Sequence, residues 1–101
     1  MVVRLVRAGQ LYQGVPYAYA ATTPATSLVF TAGACPLDEA GQVVAPGDIA
    51  AQARQTLANL RGVLEECGCG FADVLKTTVY VASADRADLV TAWNEVAGAF
   101  A

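Results

Sequence analysis

The sequence predicts a single α+β domain: an antiparallel-rich β-sheet with two helices packed on one face. Three observations carry this expectation. Short β-branched or alternating runs fill the first third, helical apolar spacing appears near residues 48–67 and 85–100, and a period-2 run lies between them near 74–82. A chain of 101 residues suffices for one domain and not two.

From the N-terminus, Val2 to Val6 is short and β-branched, an expected edge strand. Gly9, Gly14 and Pro16 punctuate the next stretch, and Tyr17 and Tyr19 then alternate onto one face of a second strand running to Thr22. Thr23 to Thr26 reads as a turn. Ser27 to Ala32 is nearly all apolar, the pattern of a strand covered on both faces, and it ends at Gly33. Cys35, Pro36, Asp38 and Gly41 mark a loop. Asp48 suits an N-cap. Ile49, Ala53, Leu57, Leu60, Leu64 and Cys67 then recur at three- and four-residue steps, with Gln52, Arg54, Gln55, Asn59, Arg61, Glu65 and Glu66 opposite. Gly68 stands where a left-handed residue closes a helix. In the next run Leu75, Thr77, Val79 and Val81 share one strand face, and Lys76, Thr78 and Tyr80 the other. Ser83 and Asp85 compete to cap the second helix, with Asp88 adding favourable charge in its first turn; its expected buried stripe is Leu89, Trp93, Val96 (or Ala97) and Phe100.

Composition narrows the function. Apolar residues make up 55% of the chain and charged ones 15%. That is apolar for so small a body, so either the sequence is a fragment or a partner subunit is expected to cover much of the apolar surface. The net charge is −3 and the pI about 4.6. The six basic residues form no stripe that tracks a phosphate backbone, so no nucleic-acid partner is expected. No apolar run approaches the ~20 residues of a membrane span, and the start lacks the pattern of a secretory leader. Three cysteines, an odd number, suit a reducing compartment, and the expected location is cytoplasmic. Cys67 and Cys69 with Cys35 supply too few ligands for a structural zinc in a chain without histidine, so no metal is expected. Cys35 also lacks a histidine base to make it a nucleophile.

Several collinear segments resemble the RidA/YjgF family, also described as the endoribonuclease L-PSP family. They are Val15-Pro16-Tyr17; Val29-Phe30-Thr31-Ala32-Gly33-Ala34-Cys35-Pro36-Leu37-Asp38; Ala51 through Leu60 (Ala-Gln-Ala-Arg-Gln-Thr-Leu-Ala-Asn-Leu); and Gly68 through Val81 (Gly-Cys-Gly-Phe-Ala-Asp-Val-Leu-Lys-Thr-Thr-Val-Tyr-Val). The resemblance implies a chorismate-mutase-like fold, a homotrimer, and a small carboxylate-bearing ligand in the cleft between subunits. It also implies hydrolytic deamination of reactive enamines and imines from amino-acid metabolism, with no cofactor. Carried onto this sequence, the ligand-binding positions are Tyr17, Ala32, Gly33 and Thr91, with Tyr17 as the catalytic candidate.

Three departures weigh on that expectation. Ala32 stands where the family has serine and Ala34 where it has glutamine. The sequence also ends at Ala101, inside the expected second helix, whereas the family's carboxylate-holding arginine and a water-positioning glutamate follow that helix. The 101 residues are therefore expected neither to complete the fold unaided nor to turn over substrate. A non-catalytic carboxylate-binding or regulatory trimer is the alternative. Ribonuclease activity is disfavoured by the acidic pI and the lack of histidine.

Overall fold

The computed structural model describes residues 3–24 and 27–101. Strand β1 (Arg4–Val6) pairs antiparallel with β2 (Ala20–Thr22), Leu5 opposite Ala21. Val2 and the Ala25–Thr26 half of the expected turn lie outside the described residues. The second strand starts at Ala20 rather than Tyr17, because the Arg7 side chain gathers the preceding loop. Its guanidinium donates to the carbonyls of Tyr17, Gln13 and Val15. Tyr17 and Tyr19 do adjoin, their rings edge-to-face at 5.5 Å.

The expected loop after Cys35 is a tight hairpin turn. Leu37 bridges Val43, and the Asp38 carboxylate accepts from the amides of Ala40 and Gln42, each at 2.9 Å. Pro46 and Gly47 then make a turn in which the Asp48 amide donates to the Ala45 carbonyl at 2.9 Å; Gly47 supplies the positive φ of 83° that a type II turn needs.

Helix α1 (Ile49–Glu66) begins as its sequence directs: the Asp48 carboxylate accepts from the Ala51 amide at 3.0 Å. It ends in a Schellman closure. Gly68 has φ 79°, its amide donates to the Glu65 carbonyl at 3.0 Å, and the Cys69 amide donates to the Leu64 carbonyl at 2.9 Å. A 3-10 turn over Phe71–Asp73 comes next. Helix α2 (Arg86–Phe100) is capped by Asp85. Ser83 assists: its hydroxyl donates to Asp88 at 2.6 Å and accepts from the Asp85 amide.

The two helices pack together around Leu64, Ala92 and Val96, the three buried apolar residues among those described. An Arg54–Glu95 ion pair (2.8 Å) bridges the helices, and Phe71 lies between the Arg61 guanidinium and the Phe100 ring. Two sequence expectations fail here. Trp93 is 51% exposed rather than core, and Leu89 is exposed with it. Cys67, expected on the buried stripe of α1, is exposed.

The larger correction concerns the sheet, which has two strands among the described residues and not four. Residues 27–32 and 74–82 form no ladder. Strand conformation is stabilised by a hydrogen-bonded neighbour, and neither segment has one among the described residues. Phe30, expected to be covered, is 89% exposed, and Tyr80 is 92% exposed. The consequence is measurable. The chain exposes 7386 Å², whereas a compact protein of this mass exposes roughly 5,400 Å². Its radius of gyration is 15.2 Å, against about 13 Å for a compact chain of this length.

Candidate functional site

The sequence-expected ligand residues sit on three different elements. Tyr17 lies in the loop before β2, half exposed, with its carbonyl held by Arg7. Ala32 and Gly33 lie in an exposed irregular segment before the hairpin, where Gly33 takes φ 119°, a value that disfavours side chains. Thr91 is on α2, partly exposed, and its hydroxyl donates to the Ala87 carbonyl one turn back at 2.9 Å.

A cleft of about 350 Å³ opens elsewhere, between residues 28–31, the C-terminal half of α1 and residues 69–77. Leu28, Phe30, Leu60, Leu64 and Leu75 make it largely apolar, and Lys76 stands at its wall. None of Tyr17, Ala32, Gly33 or Thr91 lines it. Its floor is the apolar stripe of α1 and its sides are the two unpaired extended segments. Chemically it is an uncovered part of the core, suited to apolar side chains rather than to a small carboxylate.

The residue that ties the hairpin following Gly33 to α1 is one the sequence pattern assigns to the solvated side of that helix. The Asn59 amide donates at 2.9 Å to the carbonyls of both Cys35 and Leu37, and its oxygen accepts from Gln55 at 2.9 Å. The available signal is an asparagine in mid-helix, a residue that favours caps and backbone contacts over helix interiors. Three of the five arginines are similarly occupied: Arg7 on loop carbonyls, Arg54 on Glu95, Arg61 over Phe71. Arg7 is the guanidinium placed beside Tyr17.

These elements define an α+β protein with a helix pair, a small antiparallel sheet and a loop-borne polar turn. Comparison with known proteins narrows the class. Residues 10–100 match the family described as Endoribonuclease L-PSP. The chain belongs to this family, the RidA/YjgF group. A RutC family protein of Haemophilus influenzae is 48% identical over 56 residues, covering 54% of this chain and 42% of that protein. A RutC family protein of Synechocystis is 37% identical over 83 residues, covering 80% of this chain and 62% of that protein. The 2-iminobutanoate/2-iminopropanoate deaminase of Escherichia coli is 41% identical over 56 residues, covering 54% of this chain and 42% of that protein. The chain thus spans between 42% and 62% of the length of these relatives. No helix among the described residues is long and apolar enough to cross a membrane.

Proposed function

We propose that the full-length protein hydrolyses small enamines or imines released during amino-acid metabolism, giving a 2-keto acid and ammonia. The observation that carries this is the similarity to a 2-iminobutanoate/2-iminopropanoate deaminase within a family that spans nearly the whole chain. The local chemistry supports it. Gly33 makes no backbone hydrogen bond among the described residues, so its amide is open to a substrate carboxylate in an exposed segment. Tyr17 offers a phenol for proton transfer to the departing nitrogen or from the attacking water. A guanidinium remains necessary to hold the carboxylate in a fixed orientation.

The same reading includes a homotrimer with the ligand between subunits, located in the cytoplasm. The exposed surface supports assembly: the excess of about 2,000 Å² over a compact chain is more than twice the ~800 Å² that one partner gives to a standard interface. The three free cysteines suit a reducing compartment. Ribonuclease activity finds less support in a chain of charge −3 without histidine.

The test generates an enamine in situ with a threonine dehydratase and follows 2-keto acid release by the full-length protein. Acceleration above the uncatalysed rate, reduced by Tyr17→Phe, is the expected result. Ala32 and Ala34, which lack the family's polar groups, favour a second reading, a non-catalytic carboxylate-binding trimer. Carboxylate binding by calorimetry with no acceleration would select it and remove the enzyme.

A further inference from the structure

Cys67, Gly68 and Cys69 form the closure of α1, and no role in the proposed chemistry falls to either thiol. Both are free, Cys67 exposed and Cys69 partly so. The left-handed Gly68 (φ 79°) reverses the chain between them. The Cys69 thiol points back along the turn, its sulfur 3.9 Å from the Cys67 carbonyl oxygen. The turn is held from both sides by the Gly68 and Cys69 amides on the Glu65 and Leu64 carbonyls.

The third cysteine is anchored beside the middle of α1. The carbonyl of Cys35 is tied to Asn59, and Cys67 lies eight residues further along α1, about 12 Å by the helical rise. Residues bridged by a disulfide have Cα atoms less than about 7 Å apart. Cys67 and Cys69, separated by one residue in a reversed turn, meet that limit.

We propose that Cys67 and Cys69 form a reversible dithiol–disulfide site that exchanges with small-molecule disulfides of the oxidised glutathione class. The Cys67 thiolate, the more exposed, attacks one sulfur of the glutathione disulfide. That S–S bond breaks, one glutathione leaves as a thiolate and takes up a proton, and a mixed disulfide remains on Cys67. The Cys69 thiolate then attacks the Cys67 sulfur and expels the second glutathione. Two cysteine thiols are oxidised, one glutathione disulfide is reduced to two thiols, and the protons from Cys67 and Cys69 end on glutathione. The second step is intramolecular, so its rate rests on the high effective concentration of a neighbour across one residue. A ring enclosing a single residue constrains the unfolded chain very little, so the bond is a switch and not a staple. Cys69 also belongs to the wall of the apolar cleft, which places the switch at the cleft's rim.

The test equilibrates the full-length protein in glutathione redox buffers, quenches with acid, alkylates free thiols and maps the tryptic peptide from Gly62 to Lys76, which contains Cys67 and Cys69 and no other cysteine. As the buffer becomes oxidising, alkylatable thiols in that peptide should fall from two to none, with loss of two hydrogens and no retained glutathione, and dithiothreitol should restore both. Cys67→Ser and Cys69→Ser should each accumulate the glutathione adduct on the remaining thiol. Stable adducts on both cysteines of the unaltered protein, or a bond from this peptide to another cysteine, would overturn the proposal. So would two unreacted thiols under conditions that modify the single-cysteine variants.

Discussion

Asn59 is the joint between α1 and the hairpin that follows Gly33, and substitution there should separate the two. Asn59→Ala removes three 2.9 Å hydrogen bonds, the two it donates to the carbonyls of Cys35 and Leu37 and the one its oxygen accepts from the exchangeable Gln55 side chain on the same helix. Both carbonyls lie in exposed chain and regain water, so the expected loss is about 1–2 kcal/mol, the net worth of two ordinary hydrogen bonds. Asn59→Asp is nearly isosteric yet worse at neutral pH, because a carboxylate then faces two carbonyl oxygens. Those oxygens disfavour the ionised form, so the introduced acid titrates higher in the folded than in the unfolded chain. The penalty is complete above the folded value and vanishes below the unfolded one, about 3.9. Urea melts of the full-length protein followed by circular dichroism at pH 7 and pH 4 measure this. Asn59→Asp should be less stable than Asn59→Ala at pH 7 and approach it at pH 4. Affinity for small carboxylates should fall in both variants if the Gly33 amide binds them. Equal stability of Asn59→Ala and the unaltered protein, or an Asn59→Asp variant no worse than Asn59→Ala at pH 7, would refute the reasoning.

Three further outcomes are expected. Asp48→Ala removes the side-chain acceptor of the Ala51 amide and should cost about 1 kcal/mol in the same melts. Ala45 is held at φ 41°, where glycine is unstrained, so Ala45→Gly should raise stability by up to about 1 kcal/mol. Trp93 is the only tryptophan within the 101 residues and is half exposed, so the 101-residue chain should emit at the long wavelength of a hydrated indole. A blue shift in the assembled full-length protein would show that the flank of α2 becomes covered; an unchanged spectrum would count against it.

Legibility in the sequence divides by range. The helices depend on neighbours in the chain: Asp48 caps where expected, Asp85 is the one of the two candidates that caps α2, and Gly68 ends α1 with the left-handed geometry glycine permits. The strands depend on partners far along the chain. The run from Val74 to Val81 has strong alternation but no hydrogen-bonded neighbour, and periodicity alone cannot supply one. The ligand residues are named through family resemblance. The two side chains that organise their surroundings, Arg7 and Asn59, act on carbonyls whose position depends on tertiary structure, so spacing carries no sign of those contacts.

The misplacement of Trp93 has a geometric cause that bears on the whole molecule. The expected stripe Leu89–Trp93–Val96–Phe100 and the observed buried residues Ala92 and Val96 lie on adjoining flanks of α2, offset by less than one residue's rotation of about 100°. Apolar periodicity locates the centre of a helix's total apolar arc, not the part that one particular neighbour covers. Here α1 covers one edge of the arc, and Leu89, Val90 and Trp93 remain exposed on the other. An arc that wide belongs to a helix covered on two sides. The exposed side chains of Phe30 and Tyr80 make the same demand from segments that lack strand partners. One cause accounts for both. The helix pair satisfies the contacts that depend on local order, while the second layer that an α+β domain lays against its helices is represented by two short strands.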